Sequence, residues 1–525
     1  MRALARVART SLFVLCACTR SESGAAPGQA NTSSTPPPAN AASGSVAGSG
    51  PTGNGWAAAS PDAAGTLAEP AARRSPAPLQ PTGVVRFLAI GGGPTPESNE
   101  VSLEQDIDLV RRSLPEPGVV LFAGGSNAES VRELDPTPKG DPVRTALGEL
   151  FAPRSGRQSR YRTPRFAAER ATLENVEAAL VHALSQDGPP LLIHVAAHGD
   201  QGPDARNNMV ALWGGRALSV AHLAELHERY TRGLRIVATS CFSGGFAELA
   251  FAHADAKTGQ PSAVPRCGLF AGTWDRETSG CDPNPDRRAQ ESYGLHFVHA
   301  LSGKRKDGAA LELAAADFDG DGKIGLLDAH TWASIEAVSF DVPTTTSERW
   351  LRQQHTGSAP IDARLLPEAA ALTRQLGNAL GLKDERAVAR RWDELTAQIN
   401  ELGLAIDRAD EELATRDADH ATLLLEQWPV IDDPYHPDFE PTFETHRRAI
   451  ESTLTSSPEA HARAQTNARA TGLYNQLHVL QLEEARVLRV HLAYETLHRA
   501  AALLKRGGPA AKYYASLLAC ERAAP

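Results

Sequence analysis

The sequence predicts an α/β protein with a doubly wound, mostly parallel sheet and flanking helices, followed by an all-α C-terminal region. Two observations lead to this fold class. Between residues 84 and 274, short continuous apolar runs alternate with segments whose apolar residues recur every three or four positions. This is the pattern of buried parallel strands joined by helices. From about residue 346 the strand pattern stops and helical spacing alone continues.

Each predicted strand is an apolar run that ends at glycine or at a polar residue. Strands that alternate with helices pair in parallel through right-handed crossovers. The predicted strands are 84–90, 118–125, 189–197, 235–241 and 268–274, with a short hairpin strand at 209–215 and helices at 103–114, 172–184 and 220–230.

Length and charge limit the class of protein. A chain of 525 residues is long enough for two or three domains. Its net charge of −10 argues against a general affinity for nucleic acid. Six cysteines are too few for a disulfide scaffold of this size.

The N-terminus predicts export. Residues 1–18 combine a basic start with a short apolar core, as a secretory signal does. The stretch 15–18 resembles the bacterial lipobox, which implies that Cys18 is lipidated and anchors the chain to a membrane. Thr19 is not the aspartate of the inner-membrane retention signal, so an extracytoplasmic site in the cell envelope, at the outer rather than the inner membrane, is favoured. Residues 19–81 are Pro, Ala, Gly and Ser-rich and predict a disordered tether.

Two residues with catalytic side chains follow predicted strands. His198 comes directly after the strand at 189–197, and Cys241 ends the strand at 235–241. Ligands of parallel sheets bind at the carboxyl ends of the strands, so these side chains can meet in one crevice. A core thiol and a core histidine are the alternative interpretation.

The order and spacing of these motifs resemble the caspase-fold cysteine peptidases, and within them the bacterial branch of the legumain family. The resemblance rests on the His198-Gly199 pair, on TSCFSGGF at 239–246 and on AGTWDRETSGC at 271–281, and covers about 84–342. It implies a His198–Cys241 dyad that hydrolyses peptide bonds, with the backbone N–H groups of Gly199 and Cys241 as the oxyanion hole. The resemblance therefore makes a caspase-like peptidase domain of residues 82–345.

The sequence departs from this family at two places. Thr239 stands where legumains carry an acidic residue, so their substrate preference does not transfer. The family's asparagine that supports the histidine is absent from its usual place, and Asn99 is either its replacement or a turn residue. A catalytically inactive scaffold that presents its helices to a protein partner is the alternative function.

The stretch 317–328, DFDGDGKIGLLD, matches the spacing of an EF-hand calcium loop. A single loop of this kind suggests a structural Ca²⁺ site, and an Asx-rich turn without metal is the alternative. The predicted ligands are the carboxylates of Asp317, Asp319, Asp321 and Asp328 and the backbone carbonyl of Lys323.

Residues 346–525 form the predicted helical domain. Its apolar residues between 392 and 413 alternate by three and four, the seam of a coiled-coil-like hairpin with a second helix at 472–504. Packing of this hairpin on itself is favoured over a partner-binding surface. In an exported protein Cys267 and Cys281 can form a disulfide, and Cys520 leaves the pairing open.

Overall fold

The computed structural model describes residues 83–135, 140–152 and 159–525. The predicted signal peptide with Cys18 and the predicted tether lie outside these residues. No helix within the described ranges is both long and apolar enough to cross a bilayer.

Strands are confined to the part of the chain that the sequence predicts to be α/β, and all five predicted strands and the hairpin strand are confirmed. In chain order the strands are β1 (Phe87–Gly92), β2 (Gly118–Phe122), β3 (Val131–Leu134), β4 (Ser159–Arg162), β5 (Leu191–Ala197), β6 (Gly199–Asp200), β7 (Met209–Leu212), β8 (Arg216–Ser219), β9 (Leu234–Ala238), β10 (Arg266–Phe270) and β11 (Thr344–Thr345).

Helices connect these strands and make up the C-terminal region. In chain order they are α1 (Val101–Ser113), α2 (Pro142–Phe151), α3 (Leu173–Leu184), α4 (Val220–His227), α5 (Tyr293–Leu301), α6 (Leu313–Ala316), α7 (Leu326–Glu336), α8 (Thr346–Gln353), α9 (Pro367–Ala379), α10 (Glu385–Gln427), α11 (Phe439–Ser456), α12 (Pro458–Arg506) and α13 (Pro509–Arg522).

The central sheet has six strands in the order β11-β10-β9-β5-β1-β2. All pairs are parallel except the edge pair of β10 with β11. Strand β5 is buried along its whole length, which explains its continuous apolar sequence, since a parallel strand is covered on both faces. The mostly parallel sheet of the prediction is therefore confirmed. Strands β6, β7 and β8 form a separate small sheet, and β3 pairs with β4.

Side-chain caps fix where several helices begin. Thr172, Ser219 and Ser292 each accept a hydrogen bond from a backbone N–H in the first turn of α3, α4 and α5. Such a cap typically contributes about 1 kcal/mol. Helix α1 differs, because its N-cap residue Glu100 makes no capping bond with its side chain.

Helices α10 and α12 form an antiparallel hairpin, as predicted. Arg391 near the start of α10 pairs with Glu483, while Asp417 near its end pairs with Arg463, so the two helices run in opposite directions. Between them in the sequence lies α11, although the Pro-rich stretch 428–441 predicts only an irregular connection between the two long helices.

Candidate thiol–imidazole site

His198 and Cys241 lie at the same edge of the sheet, as the sequence predicts. His198 follows β5 directly, Cys241 stands three residues beyond β9, and the two strands are parallel neighbours. Gly199 fits between them because a β carbon there would lie 2.1 Å from the carbonyl oxygen of Cys241. Only glycine allows this close approach of the two turns.

The turn after Cys241 differs from the prediction. The run Ser243-Gly244-Gly245 predicts a sharp turn after Cys241, but the residue in the left-handed region is Phe242, with φ 58°. The two glycines instead permit close packing: a β carbon on Gly244 would lie 2.5 Å from one backbone oxygen, and on Gly245 2.6 Å from another. A short 3-10 helix then runs from Ser243 to Ala250.

The imidazole of His198 is held on both ring nitrogens. Its Nε2 lies 2.7 Å from the carbonyl oxygen of Ser98 and 3.0 Å from Oε2 of Glu100. With two acceptors on Nε2, the proton of a neutral ring belongs on that nitrogen, which leaves Nδ1 to face a thiol. Nδ1 lies 3.7 Å from Sγ of Cys281. The sulfur that contacts His198 therefore belongs to Cys281, which is not a member of the predicted dyad.

Cys241 has different neighbours. Its Sγ accepts a hydrogen bond from the backbone N–H of Thr278 at 3.2 Å, and the residue is 1% exposed. Cys281 is half-buried and is not in a disulfide.

Charged neighbours control the protonation of His198. Burial alone would lower its pKa, but the Cys281 sulfur and the Glu100 carboxylate outweigh burial and hold the pKa well above its ordinary value. Burial would likewise raise the pKa of Glu100, but His198 and Arg132 lower it below its ordinary value. Arg132 donates to Glu100 at 2.6 Å. The site thus favours the imidazolium form of His198, with the Glu100 carboxylate at one ring nitrogen and the sulfur of Cys281 at the other.

The side chains of Asn99 and Thr239, the two departures from the family pattern, both make hydrogen bonds to the backbone. Asn99 is buried, accepts from the N–H of Gly93 and donates to the carbonyl of Ser130. It is a turn residue, while its neighbour Glu100 contacts His198. Thr239 donates from Oγ1 to the carbonyl of Val195 and so joins the ends of β5 and β9.

Among Cys267, Cys281 and Cys520, the disulfide pairs different residues from those of the first predicted alternative. Cys267 on β10 is bonded to Cys520 on α13, across 253 residues of sequence. A Cys267–Cys281 disulfide is therefore wrong. The geometric reason is that Cys281 lies in the loop beyond the end of β10, where it faces His198.

The acidic loop at 317–328 lies between α6 and α7, which are the predicted flanking helices. Carboxylate oxygens of Asp317, Asp319 and Asp321 lie within 4.8 Å of one another. Asp328 is buried and accepts hydrogen bonds from the N–H groups of Phe318 and Gly325, so in this structure its carboxylate closes the loop through backbone contacts. Lys323 has its N–H bonded to Oδ1 of Asp321.

Glu100, His198 and Cys281 form a second group whose ligand atoms lie within 4.8 Å of one another. Their residue types suit a soft divalent metal. However, the carboxylate faces Nε2 and the thiol faces Nδ1. An ion bound between Sγ and Nδ1 would leave Glu100 as an outer carboxylate on the other ring nitrogen.

A cavity of 570 Å³ lies beside the 3-10 helix that follows Cys241. Gly244 and Trp274 line it, together with acidic and basic side chains from several loops. Trp274 is 40% exposed and belongs to the loop that leads to Cys281. The cavity adjoins the turn that carries Cys241.

No family model matches this chain, and no curated protein matches it significantly.

Proposed function

We propose that this chain is a cysteine-dependent hydrolase of peptide bonds in which His198 is the acid and base and Cys281 the attacking thiol. The observation that carries the proposal is the contact of His198 with Cys281 on one ring nitrogen and with Glu100 on the other. A nucleophile, a base and a group that orients the base are the three parts of an activated thiol site.

Each part has a defined task in the proposed reaction. Nδ1 of His198 takes the proton of the Cys281 thiol, and the thiolate attacks the carbonyl carbon of the substrate. The resulting imidazolium gives its proton to the leaving amine as the C–N bond breaks, which leaves a thioester on the enzyme. Water, deprotonated by His198, then hydrolyses the thioester and restores the thiol. Glu100 holds the Nε2–H throughout and stabilises the imidazolium.

The peptide substrate and the caspase-like fold are parts of the same proposal. They rest on the resemblance of the His-Gly and TSCFSGGF motifs to the bacterial legumain branch. The parallel order of β1, β5, β9 and β10 and the position of both motifs at one edge of the sheet support them. Export as a lipoprotein through Cys18 belongs to the proposal too, and the Cys267–Cys520 disulfide supports it because such bonds persist in oxidising compartments.

Cys241 is the competing nucleophile. The family motif favours it, and its turn lies against Gly199. The contact geometry favours Cys281, because the distance of 3.7 Å to Nδ1 allows direct proton transfer and because Cys281 is more exposed to a substrate.

One set of variants tests the function and the nucleophile together. Hydrolysis of a peptide library by the reduced full chain is compared with that of Cys281→Ala, Cys241→Ala and His198→Ala. We expect Cys281→Ala and His198→Ala to lose at least about a thousandfold in kcat/KM, as removal of a unit member does in other sites, and Cys241→Ala to keep hydrolysis. Loss in Cys241→Ala with retention in Cys281→Ala would transfer the nucleophile to Cys241.

An inactive scaffold is the alternative function, with the α10–α12 hairpin as its protein-binding surface. A peptide probe that alkylates active thiols separates the two functions, since a scaffold has no reason to label faster than free cysteine. Absence of both hydrolysis and accelerated labelling in the reduced protein would favour the scaffold.

The loop at 317–328 is proposed as a structural Ca²⁺ site. Three carboxylates that share a small volume repel one another, and a divalent cation relieves that repulsion. The loop packs against α13, where Arg522 pairs with Asp319 and Glu368. The ion would therefore stabilise the junction of the two regions and take no part in the chemistry.

A further inference from the structure

We propose that helix α12 positions the loop that carries Cys281, through Arg489 with Asp341 and through Glu484 with Arg276. This inference rests on the proposed function, because the loop matters for catalysis only if its thiol reacts. If the inference is right, two residues of the helical region help to hold the site in its reactive geometry.

Asp341 holds both ends of the segment that contains Cys281. The residue is fully buried. Its Oδ1 accepts from the N–H of Ser279 at 2.6 Å, and its Oδ2 accepts from the N–H of Tyr293 at 2.7 Å. Ser279 stands two residues before Cys281, and Tyr293 begins α5. One carboxylate therefore holds the loop just before Cys281 and again where it enters α5.

The same loop contacts both sulfurs of the site. The N–H of Thr278 lies 3.2 Å from Sγ of Cys241, and Sγ of Cys281 lies 3.7 Å from Nδ1 of His198. A displacement of Ser279 would move both neighbours. Misplacement of a reacting group by about 1 Å can cost about a hundredfold in rate.

Arg489 of α12 fixes Asp341 in turn. Its Nε donates to the carbonyl of Asp341 at 2.7 Å, and Nη1 and Nη2 donate to the carbonyls of Ser334, Ala337 and Ser339 at 2.7 to 3.0 Å. Nη2 also lies 3.1 Å from Oγ of Ser339. The five donors of the guanidinium are thus used within the stretch 334–341. Lysine cannot reproduce this fork.

Glu484, one helical turn earlier on α12, holds the loop at a second point. Its carboxylate accepts two hydrogen bonds from Nη2 of Arg276, at 3.0 and 2.9 Å. The carbonyl of Arg276 accepts from the N–H of Phe242, next to Cys241, at 2.8 Å. Each of the two contacts of α12 therefore holds a backbone segment that lies beside one of the two sulfurs of the site.

The test uses the reduced full chain and the variants Asp341→Asn, Arg489→Lys and Glu484→Gln. The matched control is Glu495→Gln, which breaks the pair of Glu495 with Arg499 on the same helix. Three quantities are measured for each folded variant: kcat and KM on a peptide, the pH profile of Cys281 alkylation by iodoacetamide, and the melting temperature. Alkylation is read at Cys281 by mass spectrometry.

We expect Asp341→Asn and Arg489→Lys to lower kcat about tenfold or more with KM changed less than about twofold, and to shift Cys281 alkylation to higher pH. Glu484→Gln should do the same to a smaller degree, and because glutamine keeps a side-chain oxygen that can accept from Arg276 and Trp392, this variant should fold even where the other two do not. Glu495→Gln should behave as wild type.

Folded variants whose melting temperature falls while kcat and the alkylation profile stay at wild-type values would overturn the inference. If Asp341→Asn and Arg489→Lys do not fold, a Glu484→Gln variant with wild-type kcat and a wild-type alkylation profile would overturn the inference as well. If the wild-type chain hydrolyses no peptide, the proposed function is wrong. The further inference can still be tested in that case, because the alkylation profiles report on the positioning of Cys281.

Discussion

Glu100 and His198 are 98 residues apart in the sequence, yet Oε2 of one lies 3.0 Å from Nε2 of the other. Glu100 is the N-cap residue of α1 but makes no capping bond. Its carboxylate turns instead to His198 and Arg132, so a residue in a common capping position serves the imidazole.

Glu100→Gln should therefore make the Cys281 thiol less reactive, while the hydrogen bond between residue 100 and His198 is kept. Glutamine keeps an acceptor oxygen but loses the charge that raises the pKa of His198. With the imidazolium less favoured in this variant, we expect the alkylation of Cys281 to move to higher pH. The exposed Glu97, changed to Gln, is the control. An unchanged midpoint in Glu100→Gln would remove Glu100 from the proposed site.

His194 should make the fold sensitive to mild acid. It is fully buried in β5, neither ring nitrogen has a hydrogen-bond partner, and burial lowers its pKa to about 4. The unfolded chain binds a proton below about pH 6.5 and the folded chain does not. Stability from this residue is thus complete above pH 6.5 and falls as pH drops to about 4, by up to about 3 kcal/mol.

The measurement is the free energy of unfolding between pH 7 and 4. In His194→Leu the fall over this range should be smaller by about the same 3 kcal/mol, since no buried base remains to be charged. His461→Leu, at an exposed histidine, should keep the wild-type slope. Equal slopes in wild type and His194→Leu would contradict the prediction.

The acidic loop should bind Ca²⁺ and raise the melting temperature. A ligand that binds only the folded chain stabilises it by about 2.7 kcal/mol at a hundred times its Kd. Asp317→Ala combined with Asp319→Ala should remove this shift, whereas Asp362→Ala, at a surface pair with Arg364, should not. A melting temperature that responds neither to calcium nor to a chelator would count against the site.

Removal of Ca²⁺ by a chelator should leave peptide hydrolysis unchanged. The proposed reaction needs only the thiol, the imidazole and the carboxylate, so activity measured at a temperature well below melting should persist in a chelator. Loss of activity in the chelator without a change in melting temperature would instead point to a metal held by Cys281 and His198.

The Cys267–Cys520 disulfide should appear in a non-reducing peptide map, with Cys281 labelled by iodoacetamide in the native protein. Because the bond closes 253 residues of chain, it is expected to stabilise the fold by about 5.5 kcal/mol in the chain-entropy account. Cys520→Ser should lower the melting temperature accordingly. A peptide that links Cys267 to Cys281 would contradict the structure.

Cys18→Ser should abolish lipidation, since the lipid requires a thiol at that position. Incorporation of a fatty-acid analogue is the measurement, and Cys16→Ser, two residues away, is the control that should still be labelled. Equal labelling of both variants would show that the lipobox resemblance misled the assignment.

The sheet was predictable because its cause is local. Strands buried on both faces are continuous apolar runs, and the helices between them carry their own spacing and caps. The end of β5 was therefore placed correctly, with His198 directly after it, whereas β9 ends at Ala238, three residues before the predicted end at Cys241. The long α10 and α12 hairpin was predictable for the same reason.

The partners of His198 were not predictable, because they come from distant parts of the chain. Glu100 lies 98 residues before it and Cys281 83 residues after it, and nothing local marks either as a partner. The adjacent Asn99 carried the family signal, but its amide is used by the turn at Gly93 and Ser130.

Helix α11 was missed because prolines surround its start. Pro441 suggested a break, yet it lies in the first turn of α11, where a missing N–H costs nothing. The docking of α2 on the far end of the hairpin was also unpredictable, since Arg144 meets Glu440 almost three hundred residues later.

The buried contact of Arg489 with the 334–341 stretch sets an order of events during biosynthesis. Ribosomes add about 5–20 residues per second, and roughly two hundred residues separate Cys281 from Arg489, so the arginine emerges about 10–40 seconds after the thiol. Throughout that interval the loop lacks its support from α12. A nascent chain therefore carries the cysteine long before the surrounding loop has its support from α12, and under the proposed function hydrolysis would begin only after translation has passed α12.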